Sequence, residues 1–260
     1  MTIAVILAAG QGTRLRPLTN DKPKCLVEID GKSILKRQTS TLREAGIQDI
    51  KIVTGYKGNE IEKLGFETIY NKDYQRTNMV ESLFCAKDFF EGINEDLIIS
   101  YGDIVYQQDN LASLLDSTDE ISLMIDMNWR DLWSIRFTDP LDDAETLIID
   151  SSGHIKELGK KPKNYDQIHG QYTGLIKIRK DKVKDLISFY ENLDKKALYD
   201  DKDFKNMYMT SLIQLLIEFD WKVKATKVKN GWLEIDSVSD LDIYNKLQLN
   251  KKLDHFIKLN

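Results

Sequence analysis

The chain has 260 residues, of which 42% are hydrophobic and 30% charged. Both fractions lie near globular averages, which excludes a disordered chain, and this length buries a core without disulfide or metal staples. With 37 basic against 42 acidic residues the net charge is −5, which argues against a nucleic-acid partner.

Cys25 and Cys85 match no metal spacing and fit a reducing compartment better than a disulfide framework. The longest apolar run, Ile3 to Ala9, is too short for a membrane span, and no Lys or Arg precedes it as in a secretory signal. The expectation is a cytoplasmic protein with no membrane partner. Self-association into a homo-oligomer is left open.

Short apolar runs bounded by Gly, Asp or Asn read as buried strands at 3–8, 49–55, 67–70, 96–103 and 120–126. Helix-period segments lie between them. Residues 32–46 place Ile34, Leu35, Leu42 and Ala45 on one side, and Asn78 can cap a helix over 79–90. Alternating strands and helices predict an α/β fold: a Rossmann-like, mostly parallel sheet flanked by helices. Such sheets bind ligands at the carboxyl ends of their strands.

After residue 126 the pattern changes. Segment 126–145 is polar, aromatic and mixed in charge, and reads as loops and short antiparallel strands. Strands are predicted at 168–178, 221–228 and 232–236, and helices at 180–192, 203–219 and 239–258. The organisation expected is one domain over 1–260. Its core is 1–126 with 221–260, and 127–220 is an inserted, mixed subregion; the motifs below make the first the expected nucleotide-binding part and the second the expected acceptor-binding part.

The first strand runs into a loop with Gly10, Gln11, Gly12, Thr13, Arg14 and Arg16, followed by Lys24 behind Pro23. Glycines let the backbone approach a phosphate, and an Arg can fork onto its oxygens. The glycines alone equally suit an ordinary strand-to-loop turn; the basic residues tilt the reading to phosphate. A dinucleotide fingerprint would need Gly at position 15, where Leu15 stands. A Walker motif ending at Gly31-Lys32-Ser33 would need Gly at 26, where Leu26 stands.

GQGTRLRPLT (10–19) followed by DKPKCLVEIDGKSIL (21–35) resembles the sugar-phosphate and choline-phosphate nucleotidyltransferases. The resemblance continues through IVTGY (52–56), TNMVESL (77–83), YGD (101–103) and EIDSVSD (234–240), in order over most of the chain. It is nearest to the phosphocholine-type cytidylyltransferases. The KPMIYYP-type segment usual in thymidylyl enzymes is absent.

The resemblance implies that Asp103 and Asp236 hold Mg2+, a cation that takes a few carboxylates together with phosphate oxygens. It implies a nucleotide site built from Leu7, Ala8, Ala9, Gly10, Gln11, Gly12 and Thr13, with Asn78 and Ser82. Relatives often carry a second Asn where Met79 stands. It also implies a lysine near the acceptor, assigned to Lys160 with Lys161 next, though the pair equally suits a solvated charge run, and an acceptor border at Gln171 and Tyr172. Trp129, Arg130, Trp133 and Arg136 are further acceptor candidates, since aromatic faces cage cations and Arg pairs with carboxylates. Their alternative is a strand with Trp133 and Ile135 packed inward and Arg136 solvated. His154, His169 and His255 show no metal spacing.

The function expected is a Mg2+-dependent cytidylyltransferase. It would join CTP to a small phosphorylated or phosphonate acceptor with release of pyrophosphate, for surface polysaccharide or related conjugate biosynthesis. Arg14 and Lys24 would be its catalytic cations. The rivals are a sugar-1-phosphate nucleotidyltransferase using dTTP or UTP, and a non-catalytic nucleotide-binding regulatory subunit. The two arginines at 130 and 136 favour an acceptor with a second anionic or polar group over phosphocholine.

Overall fold

A computed structural model describes residues 2–259. Seven strands form the main sheet: β1 (Thr2–Ala8), β2 (Ile50–Thr54), β3 (Thr68–Tyr70), β4 (Asp96–Tyr101), β5 (Ile121–Asp126), β6 (Gln171–Ile178) and β7 (Val223–Val228). Their spatial order is β7-β5-β6-β4-β1-β2-β3. Every neighbouring pair is parallel except those made by β6, which runs against β4 and β5.

The near-continuous apolar runs follow from burial of both sheet faces. Along β1, Ala4, Ile6 and Ala8 enter one core layer, and Ile3, Val5 and Leu7 enter the other. Helix α1 (Ile34–Glu44) covers the first face and is capped by the Ser33 hydroxyl, which accepts from the Lys36 N–H. Helix α2 (Met79–Cys85) lies on the second face, capped by Asn78, whose side chain accepts from the Met79 N–H at 2.8 Å. No helix among the described residues is long and apolar enough to cross a membrane.

Three parts of the sequence reading are corrected. Segment 126–145 contains a helix, α3 (Trp129–Arg136), rather than loops and short strands. Its buried residues Trp129, Leu132 and Trp133 stand at helical spacing, so one face packs inward. The segment expected to be one helix over 79–90 breaks at Ala86 into two. The closing helix α4 (Val238–Leu249) stops well before residue 258. Strand β6, which falls within 127–220, sits in the middle of the main sheet.

The chain leaves β1 for β2 and β3 on one side and returns through β4 on the other. The crevice between the carboxyl ends of β1 and β4 is therefore the topological switch point, where ligands bind in open α/β sheets. At its floor Gly102 donates its N–H to the Leu7 carbonyl at 2.9 Å. A Cβ on Gly102 would meet that oxygen at 2.6 Å and the Ala8 Cα at 3.0 Å. Both obstacles are backbone, so neither yields easily.

Gly102→Ala should therefore destabilise the fold by roughly 1–3 kcal/mol, the range for overpacking a filled site. In thermal unfolding that is a drop of about 2–4 °C per kcal/mol for a chain of this size. An unchanged Tm would show that the strand ends separate without cost.

Candidate active site

Asp103 lies in the turn just after β4, and Asp236 lies 133 positions later. A two-stranded antiparallel ribbon brings them together, pairing Trp232 with Tyr106, Leu233 with Val105 and Glu234 with Ile104. One step further, the Ile235 N–H donates to the Asp103 carbonyl at 2.9 Å. The buried Gln38 amide holds the same turn from below, donating to the carbonyls of Tyr101 and Ile104. The sequence reading missed Gln38, because its role depends on α1 packing under the turn.

The Lys24 ammonium sits between the two carboxylates, 2.8 Å from Asp103 Oδ2 and 2.6 Å from Asp236 Oδ1. Burial opposes its charge, but Asp103, Asp236 and Glu234 outweigh burial and hold the group above its ordinary value. All three side chains are only 13–14% exposed. Exposed ion pairs contribute about 0–1 kcal/mol. Breaking a buried pair by removing one partner costs about 3–5 kcal/mol, because the other charge is stranded. This trio belongs nearer the second regime.

The glycine loop is shaped around that lysine. Gly12 has φ +60°, and a Cβ there would meet the Lys24 Cβ at 2.8 Å. The Thr19 hydroxyl fastens the loop by donating to the Gly12 carbonyl at 2.8 Å. Leu15 is fully buried and anchors it. Arg14 pairs with the other oxygen of Asp236 while its side chain stays 70% exposed, free to swing towards an anion.

Leu7, Ala8, Ala9, Gly10, Gly12, Thr13, Arg14 and Lys24 line a cavity of about 270 Å3 with Asn78, Ser82, Asp103 and Asp236. Gln11 does not line it. Tyr74, Thr77, Met79 and Cys25 also contribute, unforeseen from the sequence. Burial pushes the Cys25 thiol up to about 12, so it supplies no thiolate. Asn71 stiffens the wall, its amide donating to the Thr77 and Ser82 hydroxyls at 3.0 Å each.

A second cavity, of about 290 Å3, shares Arg14, Asn78, Met79 and Asp236 with the first. Trp133, Gln171 and Tyr172, three of the acceptor candidates, line it. The Gln171 amide donates to the Glu145 carbonyl at 2.6 Å and accepts from the Glu145 N–H, so it also frames the wall.

Trp129, Arg130, Arg136 and Lys160 do not line either cavity. Trp129 is buried against Trp133 and Tyr165. Arg130 stacks 3.9 Å over the Tyr165 ring. Arg136 is 2% exposed and paired with Glu234 and Asp240. Lys160 faces solvent beside Glu157. Helix α3 turns Trp129, Arg130 and Arg136 away from the cavity face that Trp133 occupies.

The cavity is acidic instead, lined by Asp143, Glu145 and Glu234. Glu145 is open at the cavity mouth but crowded by protein. Desolvation, then the charges of Asp143 and Glu234, push its carboxyl up to about 7 from an ordinary 4.5. A carboxyl raised in the folded state weakens folding as pH rises from its unfolded to its folded value. Glu145→Gln should therefore gain Tm relative to the parent between about pH 4.5 and pH 7, and keep that gain above. A Tm difference independent of pH over that window would contradict the crowding.

Among the described residues no cluster of three or more His, Cys, Asp or Glu is placed to hold a metal alone. Asp103 and Asp236 nevertheless suit Mg2+, a hard cation that usually takes one or two carboxylates and completes its shell with substrate phosphate. Asp103 Oδ1 is buried without a hydrogen-bond partner, and a cation, Lys24, already lies between the two carboxylates. The donor set fits.

Residues 4–126 match the MobA-like NTP transferase domain. Over 248 residues the chain is 48% identical to the CTP:phosphoglutamine cytidylyltransferase of Campylobacter jejuni, covering 92% of this chain and 98% of that protein. It is 42% identical over 89 residues to the choline-phosphate cytidylyltransferase of Streptococcus pneumoniae, covering 33% and 39% of the two chains. In fold it is similar to the inositol-1-phosphate CTP transferase from T. maritima. The TM-score is 0.73 at 22% identity, covering 99% of this chain and 98% of that one.

Proposed function

This chain belongs to the NTP-transferase family, and from that premise we propose that its joined cavities hold CTP and a small phosphorylated amino acid or amide. It is a nucleotidyltransferase of the cytidylyl type. The observation that carries the reading is the shared boundary of the two cavities. Arg14 and Asp236 line both, and Lys24 and Asp103 stand beside them in the first.

An oxygen of the acceptor phosphate attacks the α-phosphorus of CTP in line, and pyrophosphate leaves. A phosphate monoester has a second pKa of about 6, so the nucleophile arrives anionic near neutral pH and needs no general base. The work left to the protein is positioning and charge neutralisation. The loop from Ala8 to Thr13 presents backbone N–H groups to the nucleotide. Arg14, exposed at the rim, neutralises the β and γ phosphates and the departing pyrophosphate. Lys24 leaves the carboxylates for the α-phosphate as charge builds there. Asp103 and Asp236 would hold Mg2+, which when bound supplies Lewis-acid neutralisation of phosphate charge.

The acid lining supports one acceptor class. The sequence reading leaned on Arg130 and Arg136 to bind an acceptor carboxylate, and neither side chain reaches the cavity. Asp143 and Glu145, beside a Glu234 already paired with Arg136, instead suit an acceptor that carries an ammonium besides its phosphate. Phosphoglutamine has such a group, and it is the acceptor for which the 48% identical relative is named.

A pyrophosphate-release screen should cross CTP, UTP, dTTP, ATP and GTP with phosphoglutamine, phosphocholine and glucose 1-phosphate. CTP with phosphoglutamine should exceed every other pair at least tenfold. Best turnover with dTTP or UTP and the sugar phosphate would move the chain to the sugar branch, and best turnover with phosphocholine would replace the acceptor.

Removing a preorganised charge partner of a transition state costs about 100- to 1,000-fold. Arg14→Ala and Lys24→Ala should each lose that much in kcat/KM, and Asp103→Asn and Asp236→Asn should lose more. A variant at any of these positions that keeps activity within fivefold at limiting Mg2+ would remove that residue from the mechanism.

A further inference from the structure

Arg136 lines neither cavity, yet its guanidinium reaches the frame of Asp236. Nε lies 2.9 Å from Asp240 Oδ1, and Nη2 lies 2.8 Å from Glu234 Oε2 and 3.3 Å from Asp240 Oδ2. Glu234 and Asp240 flank Asp236, two positions before it and four after. Asp240 Oδ2 accepts from the backbone N–H of Asp236 at 3.0 Å and of Ser237 at 2.9 Å. The Ser237 hydroxyl accepts in return from the Asp240 N–H, which closes a capping box at the start of α4.

A capping box usually lies at the surface and needs no further charge. Here the Asp240 side chain is 5% exposed and that of Arg136 is 2% exposed. A carboxylate so buried requires a countercharge to keep its geometry. Arg136 supplies it from α3, the helix whose Trp133 forms part of the second cavity. Its Nη1 is buried without a hydrogen-bond partner. The guanidinium is thus committed to the two acids on either side of Asp236 rather than to a saturated network of its own.

We propose that Arg136 is a positioning residue for Asp236, clamping both flanks of that carboxylate so that it stays aimed at the seam between the two cavities. The inference rests on the reading of Asp103 and Asp236 as the carboxylates that hold the divalent cation. A planar fork is needed to reach both acids, and a lysine is a point charge that cannot. Helix α3 then ties the wall of the acceptor cavity to the carboxylate at the reaction centre. Loosening it should change cation affinity before it changes nucleotide binding.

The test is Mn2+ binding, read by the electron paramagnetic resonance signal of the free ion, with CTP present and no acceptor. Arg136→Lys and Asp240→Asn are compared with the parent and with Asp236→Asn. Asparagine at 240 can still accept from the backbone N–H groups while losing the ionic link to Arg136, so it decides the matter if Arg136→Lys does not fold. CTP binding in EDTA and thermal unfolding report the integrity of each variant.

Both variants should weaken Mn2+ binding about tenfold, raise the KM for Mg2+ more than they lower kcat at saturating Mg2+, and bind CTP in EDTA within twofold of the parent. Mn2+ affinity within twofold of the parent, with only Tm reduced, would overturn the inference and leave Arg136 a structural ion pair. A parent that binds Mn2+ no better than Asp236→Asn would instead sink the metal reading itself, and the inference with it.

Discussion

The site is organised by one ammonium held between two carboxylates. Lys24, Asp103 and Asp236 come from three distant parts of the chain and meet at the carboxyl ends of β1 and β4. None of the three charges would be tolerated alone at such low exposure. Gly12 is in the left-handed region and bare of a side chain because the Lys24 stem passes over it. The ribbon between Ile104–Tyr106 and Trp232–Glu234 exists in the register that sets Asp236 beside Asp103. The glycine loop, the ribbon and the turn at Gly102 are all solutions to the problem of assembling that trio.

The same arrangement explains how basic groups meant for phosphate can wait in a narrow crevice. Lys24 and Arg14 both rest on Asp236, so their charge is compensated within the protein. In the proposed reaction Lys24 and Arg14 would turn to the triphosphate, and Asp103 and Asp236 would then be free to hold a divalent ion, which would supply their countercharge. The acidic second cavity complements it. In the proposed reaction its carboxylates would attract a cationic end of the acceptor, while Arg14 and Lys24 at the seam would attract its phosphate.

The nucleotide half was legible in the sequence, and the acceptor half was not, for a physical reason. β1, its loop, the YGD turn and the EID segment are local patterns: an apolar run, glycines, then charge. Each puts its functional group within a few residues of the element that carries it. In α3 the decisive fact is which face of the helix turns inward. Trp129, Arg130, Trp133 and Arg136 were all read as acceptor groups, and only Trp133 reaches the cavity. The spacing of Trp129, Leu132 and Trp133 held the helical signal, masked by the polar residues between them. Asp143 and Glu145 sit in an irregular stretch, and only the tertiary contact with Gln171 and Trp133 brings them to the wall.

The most direct test of the account is a crystal structure of the protein with Mg2+ and CTP. The exchange of partners predicts the Lys24 Nζ within hydrogen-bond distance of an α-phosphate oxygen and no longer bridging Asp103 and Asp236, with both carboxylates on the metal. Lys24 still bridging the two aspartates, with CTP seated in the crevice and the metal held elsewhere, would contradict it.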